Sequence, residues 1–95
     1  MRLIVSAGAL DDIQRLYRFL ATSDSTSAYR ALAVLEQAID SVAVFPQRGR
    51  PSGVPGVREL IVPFGQAAYI VRYAQNQSRD EVTILRLWHS REERL

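Results

Sequence analysis

The reactive side chains of this 95-residue sequence are few: a single histidine, His89, a set of arginines, and no cysteine. His89 stands beside Trp88, the only tryptophan, in "TILRLWHSREERL" at residues 83–95. An imidazole needs little tuning to act as a general acid or base near neutral pH. Arg58 and Arg86 are cations of the kind that stabilise developing negative charge in phosphoryl chemistry. Together the three would suit cleavage of RNA through a ribose hydroxyl. The plainer alternative is that His89 ends a strand at the surface and the arginines pair with acids. One histidine with the adjacent Glu92 and Glu93 does not close a zinc site. Gly49, Gly53 and Gly56 are interrupted by prolines and lead into a strand, unlike a phosphate-binding loop before a helix. No serine sits in a strand-turn-helix elbow. Neither a metal nor any other cofactor is expected.

The elements that must position these groups come from a composition of 47% hydrophobic and 23% charged residues, which argues for a folded core over disorder. The length suits a single domain over 1–95. Absent cysteines and an N-terminus, "MRLIVSAG", without signal-peptide pattern lead us to expect a cytoplasmic protein with no membrane role. Every basic residue is arginine. Arginine suits carboxylate and phosphate partners, although a GC-rich coding sequence would also replace lysine throughout. A net charge of +2 does not by itself announce nucleic acid.

Residues Arg2 to Val5 form a short apolar run and predict a first strand. Ser6 is placed to cap the following helix, where Leu10, Ile13, Leu16, Tyr17 and Leu20 recur at helical spacing and Asp11 and Asp12 lie near the positive N-terminal end. After the polar break "TSDST", Ala28, Leu32, Leu35, Ile39 and Val42 mark a second helix, antiparallel to the first. Phe45 and Pro46 end it. The stretch "PQRGRPSGVPG" reads as a loop, and within it the glycine of "RGRP", Gly49 between Arg48 and Arg50, is expected to supply an unusual backbone angle. "VRELIVPF", "AAYIVRY" and "EVTILRLWH" predict three more strands, the last the longest, with "AQNQSRD" as a hairpin loop. The prediction is an α+β fold in the order β-α-α-β-β-β, with the N-terminal strand and helical hairpin packed on one face of a mostly antiparallel sheet. Period two puts Val82, Ile84, Arg86 and Trp88 on one face of the last strand and Thr83, Leu85, Leu87 and His89 on the other. Both faces are mostly apolar until the strand's end, and a sheet face left uncovered points to a partner. The tail "SREERL" reads as a solvated end or a short helical turn.

In this order the pieces resemble the ParE/RelE superfamily of bacterial toxin-antitoxin toxins, over nearly the whole chain. The residues that carry the resemblance are Ala9, Asp12, Ile13 and Leu16 in "ALDDIQRLYRFL", Ala28, and Pro46, Gly49 and Arg50 in "FPQRGRP". Arg58, Tyr69 and Tyr73 follow in the sheet, then Ile84, Leu85, Arg86, His89 and Arg91 in the closing strand. The resemblance implies one of two activities. RelE-like members are ribosome-dependent mRNA endonucleases, rich in Lys and Arg. ParE-like members poison DNA gyrase by binding. No lysine and no tyrosine after His89 favour the ParE-like branch, with a non-enzymatic gyrase inhibitor expected first, an mRNA endonuclease using Arg58, Arg86 and His89 second, and a non-toxic regulatory relative third. The resemblance further implies a cognate antitoxin as partner, with the exposed faces around Leu16, Tyr17, Leu20, Tyr73, Arg86 and Trp88 as candidates to meet it. Arg50, Arg58 and Arg91 are candidates for the target.

Overall fold

The computed structural model describes residues 1–22 and 24–92. Strand β1 (Arg2–Val5) leads into helix α1 (Ala7–Ala21) and helix α2 (Ser25–Val44). Four strands follow: β2 (Arg50–Pro51), β3 (Val57–Phe64), β4 (Ala67–Asn76) and β5 (Glu81–His89). They form a five-stranded sheet in the order β1-β5-β4-β3-β2. Only β1 runs parallel to its neighbour, β5. The predicted α+β order therefore holds, with the two-residue β2 added at the edge. Strand β4 also runs to Asn76, through residues read from sequence as loop, and exceeds β5 in length. Glu93 to Leu95, the second half of the tail read as a solvated end or short helical turn, lie outside the described residues.

Helix α1 starts where the sequence places its cap. The Ser6 hydroxyl accepts from the Ala9 N–H at 3.1 Å and donates to the Leu85 carbonyl at 3.1 Å, so one side chain begins the helix and ties it to β5. Ser6→Ala should lower stability by about 1 kcal/mol, the usual cost of a lost cap, read as a shift in the thermal midpoint. An unchanged midpoint would remove that role. Asp24 caps α2 in the same way, accepting from the Thr26 N–H at 3.0 Å. The two helices pack on each other, and Tyr17 of α1 meets Tyr29 of α2 edge-on at 5.9 Å between ring centroids.

The core lies between the helices and one face of the sheet. Ala9 and Leu16 of α1, and Ala31, Leu35, Ala38, Ile39 and Val42 of α2, pack on Leu60, Val62, Tyr69, Val71, Tyr73, Val82, Ile84 and Leu87. The alanines of α2 let the helix approach the sheet closely, since no long side chain intervenes. Of the predicted helical stripes, Leu10 departs: it is exposed.

The last strand does not keep period two. Tyr73 is opposite Ile84 and Arg72 opposite Arg86, so Leu85 is an extra residue with no register partner, a β-bulge. Beyond it the alternation resets. Leu87 joins Val82 and Ile84 in the core, and Leu87 and Arg86 exchange the sides that strict alternation gives them. Trp88 and His89 exchange sides as well, His89 coming to the Tyr69 side and Trp88 to the Arg72 side, so they lie on opposite faces but not the ones strict alternation gives them.

Candidate functional site

The bulge puts Arg86 at the β5 edge just where β1 has ended, since the parallel ladder stops at Val5 opposite Ile84. Backbone groups there need partners. Side chains supply them. Ser6 donates to Leu85 O, Asp12 accepts from Leu87 N–H at 2.8 Å, Arg15 donates to Leu87 O at 3.2 Å, and Glu92 accepts from His89 N–H at 2.8 Å.

Asp12 is the hub, only 2% exposed. One carboxylate oxygen accepts from Arg86 Nε at 2.8 Å as well as from Leu87 N–H; the other accepts from Arg15 at 2.5 Å and Arg86 Nη2 at 3.1 Å. Burial pushes this carboxyl up, but the hydrogen bonds from Arg86, Leu87 N–H and Arg15 outweigh it and hold it below the ordinary carboxylate value. Arg15 then reaches Glu92 through Nε at 2.9 Å. Burial raises the Glu92 carboxyl too, and again the hydrogen bonds from Arg15 and the His89 N–H win and lower it. Sequence pattern assigned Asp12 to the helix dipole. Its position lies beyond the first turn of α1, which holds no acid, and its carboxylate is spent on β5.

A second latch holds the loop after α2. The buried Tyr73 hydroxyl donates to Pro46 O at 2.7 Å and accepts from Gly49 N–H at 2.8 Å. Arg58 donates to Gly49 O at 2.7 Å and to Gln47 Oε1 at 2.5 Å. Gly49 has no positive φ. Its lack of a side chain matters for space: an added Cβ would lie 2.7 Å from the Tyr73 hydroxyl and 2.9 Å from Glu59 O. The unusual backbone angle expected of this loop occurs at Gly53 and Gly56 instead.

On the sheet face away from the helices, Arg72 bonds Glu59 through Nη2 at 2.7 Å and lies over the Trp88 ring at 5.0 Å. Arg50 approaches the same Glu59 at 3.7 Å. Beneath the helices, His89 meets Tyr69 edge-on at 5.2 Å and Phe19 at 6.1 Å, and its Nδ1 accepts from Arg91 N–H at 3.1 Å. Tyr69 is wholly buried, and burial, followed by the charge of Glu92, pushes its phenol above the usual value. A phenol beside an imidazole is the pattern of an acid-base pair, but this hydroxyl is sealed from any substrate.

Residues 3–94 match the family described as the ParE toxin of type II toxin-antitoxin system, parDE. The chain belongs to the ParE toxin family. Toxin RelE1 of Caulobacter vibrioides is 43% identical over 91 residues, covering 96% of this chain and 95% of that protein. Putative toxin Y4kP of Sinorhizobium fredii is 31% identical over 85 residues, 90% of this chain and 83% of its own. A solved structure titled as the chromosomal ParDE toxin-antitoxin system from P. aeruginosa superimposes with a TM-score of 0.76 at 26% identity, over 92% of each chain. As a ParE-family toxin of a type II system, the protein has an antitoxin as its partner.

Within this ParE-family toxin the sequence-derived candidates divide. Leu16 and Tyr73 are fully buried in the core, because the apolar stripe of α1 and the inward face of β4 are what the helices and sheet bury against one another. They are not on an exposed face. Trp88 is also largely covered, whereas Tyr17 and Leu20 are half-buried on the hairpin and Arg86 is exposed at the β5 edge. Arg91 and Arg50 are exposed. Tyr17 belongs to a groove of about 340 Å³ between the helices, with Ile13, Gln14, Arg18 and Leu32. Asp12, Arg15 and Glu92 were missed as a connected group. The one available signal was an acid on the otherwise apolar-facing side of a helix.

Proposed function

We propose that this toxin acts by binding DNA gyrase and not by cutting RNA. The observation that supports the reading best is the dispersal of Arg58, Arg86 and His89. Arg58 is opposite Tyr73 and His89 opposite Tyr69 across β4, so they stand four residues apart along the sheet and on strands flanking β4. At about 3.3 Å per residue and about 4.8 Å between strands, that is roughly 16 Å. Arg86 leaves by the β5 edge to Asp12, and Arg58 is spent on the loop. A ribose hydroxyl and its phosphate need acid, base and cation within hydrogen-bond reach of one another.

Purified toxin should inhibit supercoiling by gyrase or trap a cleaved-DNA complex; neither, even at high excess, would sink the reading. His89→Gln should leave growth arrest unchanged and produce no difference in mRNA ends on induction. Loss of an acid-base catalyst costs about 10²–10⁴-fold, so a drop of that size would favour the endonuclease.

The antitoxin is proposed to lay an amphipathic segment along the hairpin groove at Tyr17 and on past it to Leu20, with acids reaching Arg18 and Arg86. The groove is lined by apolar Ile13 and Leu32 and flanked by a cation, which suits that mode of recognition.

A further inference from the structure

Three apolar side chains stand out at the end of α2 and between β2 and β3: Val44, Phe45 and Val54 are 68%, 66% and 60% exposed. Leaving such groups in water forgoes about 1.5–3 kcal/mol each of burial energy. The same segment is cationic. No Asp or Glu occurs between Asp40 and Glu59, while Arg48, Arg50 and Arg58 do. Arg48 is exposed and bonds the Ser41 hydroxyl, not a carboxylate. The Arg50 side chain is 65% exposed and only 3.7 Å from Glu59, an acid already held by Arg72 at 2.7 Å. Nor is this a loose loop, because Tyr73 and Arg58 fix Pro46, Gln47 and Gly49 from beneath.

We propose that residues 44–54 form the surface that engages the toxin's target, a folded protein offering a preformed apolar depression rimmed by carboxylates. The proposal deepens the binding reading above. Val44 and Phe45 stand exposed beside a backbone fixed at Pro46, Gln47 and Gly49, while Val54 lines a cleft of about 940 Å³ with Gln47, Pro51 and Arg58. Exposed groups fixed beforehand complement a cavity that already exists and lose less entropy on association. An antitoxin segment that folds on binding is given the apolar groove between the helices, at Ile13, Tyr17 and Leu32, which shares no residue with this surface. Aliphatic Val44 and Val54 have no counterpart on a nucleic-acid backbone, so a protein is favoured over DNA or RNA. Excess arginine sets the sign of the partner's charge. Tyr73 and Arg58 are then positioning residues for this surface, not contacts.

The test is the double variant Phe45→Ser/Arg50→Glu, which alters exposed side chains only. Growth arrest on induction should weaken about tenfold or more, as for loss of a central contact, with a thermal midpoint lowered by no more than about 8 °C, since a carboxylate at position 50 faces Glu59 across the strand pair, and with undiminished co-purification with the antitoxin. Arg50→Lys in place of Arg50→Glu should restore part of the toxicity. Arrest equal to wild type overturns the proposal, as does a parallel loss of antitoxin binding, or a loss confined to binding of labelled DNA or RNA. Supercoiling assays separate the two readings. If wild-type toxin arrests growth without inhibiting gyrase and the variant relieves the arrest, the surface stands and the gyrase reading falls. If both inhibit gyrase equally, the surface falls alone. A wild-type chain that arrests no growth overturns both.

Discussion

Asp12→Asn is expected to destabilise this toxin by about 2–4 kcal/mol, because it breaks a buried carboxylate away from donors on two elements. For a domain of this size that is a drop of about 10–25 °C in thermal midpoint. An amide keeps the shape but has one acceptor oxygen, and its NH₂ would confront a guanidinium. Asp12 serves Arg15, Arg86 and the Leu87 N–H together, so asparagine leaves at least one donor unmet. Asp11→Asn, one residue away and exposed, should change stability by less than about 0.5 kcal/mol. The pH profile carries a second signature. The Asp12 carboxyl is lowered in the folded state from its ordinary 3.8, so its contribution is fully present above pH about 4 and is lost as pH falls through the folded value. Glu92, lowered from 4.5, acts in the same direction. Wild-type protein should thus show a steep acid limb that Asp12→Asn flattens. Parallel limbs in thermal melts between pH 3 and 7 would contradict the role given to Asp12.

Gly49→Ala should cost about 1–3 kcal/mol through overpacking, although alanine suits the backbone angle there. The new methyl meets the Tyr73 hydroxyl at 2.7 Å, Tyr73 Cε1 at 2.9 Å and Glu59 O at 2.9 Å. None of these is the free end of a flexible chain, so the loop itself must move. Tyr73→Phe alone should cost about 1–3 kcal/mol, because Gly49 N–H and Pro46 O lose a buried partner. In the double variant the nearest clash disappears while the contacts with Cε1 and Glu59 O remain. The two costs should therefore sum to less than their total by about 0.5 kcal/mol or more, measured by urea denaturation. Strict additivity would show that the loop yields independently of Tyr73. Displacing the loop should also weaken growth arrest, since Arg48 and Arg50 ride on it.

Particular residues show how far the sequence was legible. Helix α1 could be placed from Ser6 and its apolar spacing, and the end of α2 from Phe45 and Pro46, because caps and helix breakers act within a few residues of where they stand. Leu10 deceived the pattern, since an apolar spacing marks a face and not which of its members reaches the sheet. The candidate site was less visible. Arg58 and Tyr73 were singled out as binding groups, yet one braces a loop and the other is core. Gly49 was correctly noticed for an incorrect reason.

From its local signals the sequence by itself determined the element order, the capped helices, the loop before β3 and an arginine-only surface with no acid from residue 41 to 58. Family membership followed from the order and spacing of those same elements. Only the tertiary structure decided that Leu85 bulges, that Leu87 and Arg86 therefore change places, and that Asp12 on α1 replaces a missing strand at the β5 edge. The physical reason is sequence separation. A cap is settled by neighbours along the chain, but a bulge and a carboxylate bonded 75 residues away are settled by which backbone groups remain unpaired once the sheet has formed.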